Sequence, residues 1–329
     1  MKRRSFFPVL ARVLVAATGL LAFATAQAQT WPDKPVRLIV PAAAGGGTAD
    51  PLSRLFADEL SKSLGQRVWV DNMGGANGNI GAGAATKAKP DGYTLLFSWA
   101  GTLATNASLY RNLPFNPRQD LTPIILIGNV PNILVVNPSL PVNSLKEFGD
   151  YTKANPGKLN YGSSGQGSSM HLAAEMYRMQ TGAQMVHVPY NAVSKAVTDL
   201  LGGEIQLMFQ LVPGIAPHVK AGRVRALAIM SDHRSAALPD VPTFAEAGMK
   251  GMETGTWFGI LAPVGTPPAV VTRVNAEMNR LLKDPAVRAR VVAMGLEPLG
   301  GTAQEFADFW DKEIRRWAEI VKFAGTRLD

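Results

Sequence analysis

The chain alternates between short apolar runs and longer stretches in which apolar residues return every three or four positions. Val36, Leu38, Ile39 and Val40 form the first run, which reads as a buried strand. Leu52, Leu55, Phe56, Leu60 and Leu64 then recur at helical spacing, and Gly65 ends the pattern. Further runs at 67–71, 93–97, 124–128, 133–136, 158–161, 186–190, 205–209, 224–229 and 257–262 predict strands. Periodic stretches at 80–87, 144–154, 170–181, before 201, before 222 and from 267 onward predict helices. The opening strand–helix alternation predicts a parallel α/β arrangement. Ser144 with Glu147, and Thr302 with Glu305, match the capping box that starts a helix. Phe306, Phe309, Trp310, Ile314, Trp317, Ile320 and Val321 then line one helical face and read as core, with Lys312, Arg315 and Arg316 on the solvated side.

Two of the strand-to-helix joins are unusual. The first runs from Pro41 through three alanines to Gly45, Gly46, Gly47, Thr48, Ala49 and Asp50, and Pro51 fits a first helical position. The second is Gly162, Ser163, Ser164, Gly165, Gln166, Gly167, Ser168 and Ser169. Each places bare backbone N–H groups, or hydroxyls, at a helix amino end, where the dipole and unpaired donors favour an anion. A tight turn needing glycine only for geometry has the same spelling. One such loop in each of two domains predicts a cleft between α/β lobes that suits a small anion. Neither loop holds Lys or Arg, so the expected ligand is a carboxylate held by neutral donors and water. Expected donors are Gly46, Gly47 and Thr48 on one side and Ser163, Ser164, Gly167, Ser168 and Ser169 on the other. Ser98, Trp99, Tyr190 and Asn191 are expected to shape the pocket, with Gln210 a further candidate. Asp50 reads as a helix cap that could also meet an amino or hydroxyl group. Trp99 and Tyr190 tilt the expectation towards a flat acid.

Composition adds an address. Lys2, Arg3 and Arg4 precede an apolar run at 13–24, and Ala24, Ala26 and Ala28 give two A-x-A cleavage sites. This pattern predicts a signal peptide over residues 1–28, cleaved near Ala26 or Ala28, and a periplasmic mature chain. The twin arginines also fit the twin-arginine export route. The formal net charge of +8 falls to +4 without Lys2, Arg3, Arg4 and Arg12. The remaining charges are well mixed, so nucleic acid is not an expected partner. The 329 residues contain no cysteine, which removes disulfide and thiolate chemistry. No apolar run after the signal is long enough to span a bilayer, so a soluble mature protein is expected.

Catalytic patterns are missing. The four histidines, His171, His187, His218 and His233, form no HExxH motif, so no metal is expected. His171 follows the second loop closely enough to reach a ligand. No G-x-S-x-G elbow and no Walker motif occurs. Asp71 sits where a ribose-binding acid would, but the first loop ends in Asp50 where a dinucleotide fingerprint needs glycine. No cofactor and no catalysis are therefore expected.

These phrases, in order along the chain, resemble the Bug-type solute receptors of tripartite tricarboxylate transporters. The matching stretches are 31–36, the first glycine loop through Asp50, 88–96, 161–172, 188–190, 199–203 and 262–267. The resemblance implies an α/β, two-lobed, Venus-flytrap fold of the type II-like periplasmic binding proteins, with two chain crossings. Lobe 1 is expected at 29–128 and 230–329, and lobe 2 at 129–229. It further implies a carboxylate held between the two loops, partly through water, and delivery to a membrane permease; a sensor kinase is the alternative partner. Ala42, Ala43, Ala44, Asn191, Ala192, Ser98 and Trp99 depart from the family's usual spelling at expected pocket walls, which leaves the ligand's identity open.

Overall fold

The computed structural model describes residues 31–45 and 48–328. The expected signal peptide, Gly46 and Gly47 lie outside the described residues.

Three parallel strands open the fold. β1 (Val36–Val40) lies between β2 (Val68–Asn72) and β3 (Thr94–Trp99). Helices α1 (Ala49–Leu64) and α2 (Asn79–Thr86) make the crossovers. α1 starts two residues before Pro51, and its amphipathic face buries Leu52, Leu55, Phe56 and Leu60. After β3 the chain does not form an ordinary loop. It makes a π-helical turn over Gly101–Thr105 that continues into the single turn α3 (Asn106–Leu109). A further turn, α4 (Pro117–Asp120), is capped by Asn116.

The main departure from the sequence pattern follows. The two strands expected at 124–128 and 133–136 are one strand, β4 (Leu121–Val136). Its first part pairs antiparallel with β9 (Gly255–Pro263), from Leu121 with Pro263 to Pro131 with Gly255. Its second part, from Asn132, pairs with β7 (Leu207–Leu211) and β8 (Arg225–Ile229). Proline usually interrupts a strand because it has no N–H to give. Pro131 falls at the changeover between ladders, where that loss is tolerated. The result is one continuous sheet in which β4 is shared by two halves, ordered β2-β1-β3-β9-β4-β7-β5-β6.

The second half repeats the parallel motif with β5 (Leu159–Ser163) between β6 (Met185–Pro189) and β7. α5 (Leu145–Ala154) precedes it, with the Ser144 hydroxyl accepting the Glu147 N–H at 3.1 Å. α6 (Ser169–Thr181), α7 (Val193–Gly202) and α8 (Val212–Lys220) follow β5, β6 and β7. After β8 the chain does not return directly to the first half. Phe244 donates its N–H to Ile229, Leu238 packs in the cluster that holds Ile133 and Val197, and Gln180 of α6 bonds the Lys250 carbonyl. The return comes at Thr254, whose carbonyl accepts from Asn132.

α9 (Pro268–Lys283), α10 (Pro285–Ala293), the two-residue β10 (Glu297–Pro298) on β4, and α11 (Ala303–Ala324) complete the chain. Both bonds of the Thr302–Glu305 capping box are present. α11 buries Phe306, Trp310, Trp317, Ile320 and Val321. It packs beside α6, β4 and the π turn, so one apolar cluster runs across both halves of the sheet. Arg316, expected on the solvated face, instead holds the Glu253 carbonyl and the Met176 sulfur of the other half.

Candidate ligand-binding site

Parallel strands direct their carboxyl ends to one edge of a sheet, and the crossover loops gather there. β3, β5 and β7 end at Trp99, Ser163 and Leu211. Together with the start of β9 and one residue of α11, these ends enclose a cavity of about 190 Å³. The first half contributes Asn77, Trp99, Ala100, Gly101, Thr105, Gly255, Thr256 and Trp317; the second contributes Ser164, Gly167, Ser168, Ser169, Met170 and Leu211. None of these residues carries a charged side chain.

The polar end of the cavity is the start of α6. Ser168 is the N-cap, and its hydroxyl accepts the His171 N–H at 3.2 Å. The N–H groups of Ser169 and Met170, in the first helical turn, have no intrahelical acceptor. Ser168, Ser169 and Met170 all line the cavity, so the amino end of the 13-residue helix, the positive end of its dipole, borders it. The Ser169 hydroxyl accepts from the Thr256 hydroxyl at 3.0 Å, which joins the two halves across the site. Gly167 adopts φ +74°, and a Cβ there would fall 2.2 Å from Leu109 Cδ2. Glycine is thus required both by the turn and by the close approach of α3.

Trp99 and Trp317 make another part of the wall aromatic. Gly101 lets the π turn approach Trp99: a Cβ would lie 3.0 Å from the indole nitrogen. Asn77 sits in the left-handed region at φ +51°. Its carbonyl accepts from Thr102 Oγ1 and Asn106 Nδ2, both at 3.0 Å, and its amide donates to Asn106 Oδ1 at 2.7 Å. Trp317 donates its indole N–H to Glu313 at 2.9 Å, away from the cavity, and so presents ring surface to it. The arrangement offers neutral donors on one part of the wall and flat apolar surface on another.

Five of the residues expected from sequence meet here: Trp99, Ser164, Gly167, Ser168 and Ser169. Of the others, Gly46 and Gly47 lie outside the described residues, and the rest do not line the cavity. Asp50 is buried, and its carboxylate is fully engaged by the Gly45 N–H, Arg54 and Asn72. Burial raises its pKa, but these partners together outweigh that and hold it below the ordinary carboxylate value. Asp50 therefore closes the first loop as an internal cap. Thr48 is the N-cap of α1 without a side-chain bond. Among the described residues of the first loop, none lines the cavity; the loop packs against 74–81, which in turn carries Asn77.

Ser98 is buried in β3 with its hydroxyl unpaired. Ser163 turns away from the cavity to His187 Nε2 at 2.7 Å. Tyr190 donates to Asp199 at 2.9 Å, and burial with that acceptor pushes its pKa up to about 12. Asn191 is exposed. Gln210 is buried, its Oε1 taken by the Leu211 N–H and its Nε2 unpaired. His171 is turned inward: Nδ1 accepts the Gly167 N–H at 3.1 Å.

Sequence reasoning missed Asn77, Ala100, Gly101, Thr105, Met170, Leu211, Gly255, Thr256 and Trp317. The glycine-rich stretch before Asn77 and the glycine after Trp99 were available signals. Trp317 reads as core and is buried as its helical spacing predicts; that it also borders the cavity depends on what its helix face packs against.

Comparison with known proteins gives one consistent picture. Residues 52–326 match the model of the tripartite tricarboxylate transporter family receptor. Protein BugT of Bordetella pertussis is 38% identical over 317 residues, 96% of each chain. A solved R. palustris protein with adipate is 38% identical, with a TM-score of 0.79 over 91% of this chain and 100% of its own. MatC from Rhodopseudomonas palustris, with bound malate, is 32% identical, with a TM-score of 0.73 over 88% of this chain and 100% of its own.

Proposed function

Because the chain belongs to the tripartite tricarboxylate transporter receptor family, we propose that it is a periplasmic receptor that captures a small carboxylate in the cavity between its halves and passes it to a membrane permease. The observation that carries this reading is an uncharged cavity built against the first turn of α6. The first-turn N–H groups and the Ser169 hydroxyl there match a carboxylate, and with no cation among the described residues that line the cavity the binding stays reversible. Relatives solved with adipate and malate support the ligand class. No residue on the cavity wall is a nucleophile activated by a base, so binding without turnover is the reading here.

We assign residues 132–254 to the second lobe and the rest of the described chain to the first. This extends the expected boundary at 229, because 231–254 packs on β8 and α6. The two crossings then lie side by side at Asn132 and Thr254, a natural hinge. The Thr256–Ser169 bond already joins the two sides across the site, so opening at this hinge would break it to admit the ligand, and closure would remake it and seal the ligand from water. Docking of that closed form on the permease is the transport step.

A thermal-shift screen of the mature protein tests the reading. Adipate, malate and benzoate are compared with their amides. At a hundredfold excess over its dissociation constant a true ligand adds about 2.7 kcal/mol of stability. A shift with an acid and not with its amide supports the proposal; a response only to neutral or cationic solutes refutes it. Loss of uptake of that acid on deletion of the permease tests delivery, and an intact uptake would point to signalling instead.

A further inference from the structure

Behind the Gly/Ser loop lies a buried polar cluster that the binding reading does not use. His171 of α6 and His187 of β6 stack with ring centroids 4.1 Å apart and planes 18° from parallel. The Tyr161 ring continues the stack on His187 at 4.9 Å. Each imidazole holds one end of the loop: His171 Nδ1 accepts the Gly167 N–H at 3.1 Å, and His187 Nε2 meets the Ser163 hydroxyl at 2.7 Å. The Ser163 hydroxyl in turn accepts the Gly165 N–H at 3.1 Å. The loop therefore hangs on two ring nitrogens.

We propose that His171 is a positioning residue for ligand binding: as a neutral imidazole with a bare Nδ1 it fixes the Gly167 N–H, and with His187 it sets the backbone that faces the ligand. The proposal rests on the carboxylate-receptor reading for its consequence, but not for its geometry. A backbone N–H can only donate, so Nδ1 must be the acceptor and the ring proton must sit on Nε2. That proton faces Glu175 Oε1 at 3.9 Å. Glu175 is itself held by the Tyr161 hydroxyl and by Arg178.

The charged and titratable groups around His171 are thus Glu175 and Arg178 on its own helix, Tyr161 on β5 and His187 on β6. Protonating Nδ1 would set two donors against each other and break the bond to Gly167. Burial, then the Arg178 charge, lowers His171 to about 4, and burial, then His171, lowers His187 to about 4. The clamp therefore stays neutral at the pH of most surroundings and opens only in acid.

The test uses the isotope-labelled mature protein, free of added ligand. In the wild type at pH 7 the imidazole nitrogen shifts of His171 should report protonated Nε2 and bare Nδ1, and the Gly167 amide should be protected from exchange. Exchange at Gly167 should rise about 5- to 30-fold in His171→Leu, the loss of one hydrogen bond. His171→Asn places a carbonyl near the Nδ1 position and should restore protection, whereas His171→Gln, whose carbonyl reaches the Nε2 position, should not.

Equal protection in the wild type and His171→Leu, or a proton on Nδ1 in the wild type at pH 7, overturns the clamp. The wild-type ring measurement decides the matter even if a variant fails to fold. Binding of adipate, malate and benzoate is then measured on wild type and His171→Leu. A dissociation constant unchanged by His171→Leu despite fast Gly167 exchange overturns the link to ligand. A clamp that passes while no acid binds the wild type refutes the receptor reading and leaves the loop geometry standing.

Discussion

Glu313 offers the most direct check on how the site is supported. Its buried carboxylate oxygen Oε2 accepts two indole protons, from Trp257 at 3.0 Å and Trp317 at 2.9 Å. Both tryptophans are almost fully buried, Trp257 in β9 and Trp317 on α11 against the cavity. Glu313→Leu gives an apolar side chain one atom shorter and without an acceptor, so two buried donors lose their partner. A hydrogen bond to a charged group is worth about 1.5–3 kcal/mol, and the two share one oxygen, so about 3 kcal/mol of destabilisation is expected. With an unfolding entropy of about 0.6 kcal/mol/K for some 300 ordered residues, Tm should fall by about 5 °C. Glu313→Gln keeps an acceptor and should lose only about 1 kcal/mol. Urea denaturation followed by circular dichroism, with calorimetry for Tm, measures both. Because Trp317 walls the cavity, affinity for the acid found by screening should weaken in the Leu variant and stay near wild type in the Gln variant. A Leu variant within 1 kcal/mol of wild type, or a Gln variant as damaged as Leu, would refute the argument.

Three further outcomes follow from the same geometry. Asp50→Ala strands the Gly45 N–H, Asn72 and Arg54, and should cost about 2–3 kcal/mol in denaturant melts while leaving acid affinity unchanged, since the carboxylate faces inward. The lowered His171 gives a stability term that is complete above pH 6.5, where folded and unfolded rings are both neutral, and is lost as pH falls towards 4, because the unfolded ring takes up the proton first. That term is about 3 kcal/mol, and His171→Phe should reduce the slope of the melting profile over this window, with the lowered His187 keeping its own share. Gly167→Ala forces φ +74° on a residue with a Cβ and drives it into Leu109, whereas Gly182→Ala has φ +71° and open space. The second should cost about 1 kcal/mol and spare binding; the first should cost more and weaken binding at least tenfold by calorimetric titration.

Much of the fold was legible because local rules sufficed. Apolar runs located the strands, helical periodicity located α1, α6, α9 and α11, and the Thr302–Glu305 pair located a helix start that has both capping bonds. The Gly/Ser loop was legible too, since bare donors at a helix amino end depend on residues close in sequence. What failed was anything set by a distant partner. The apolar runs at 124–128 and 133–136 read as two strands, yet β4 is continuous through Pro131 because β9 on one side and β7 on the other take over pairing at that point. Ser163 reads as a ligand donor, but His187 on the neighbouring strand takes its hydroxyl; Asp50 reads first as a cap, and the Gly45 N–H, Arg54 and Asn72 occupy its carboxylate. Trp317 reads as core and is core, but periodicity tells which side of a helix is apolar and not that this side also borders a cavity. The sequence by itself determined the elements and the kind of loop at their joins. Which of those loops share a cavity was decided by tertiary packing, since a side chain's partner across the sheet lies up to some two hundred residues away, as between Leu103 and Trp310.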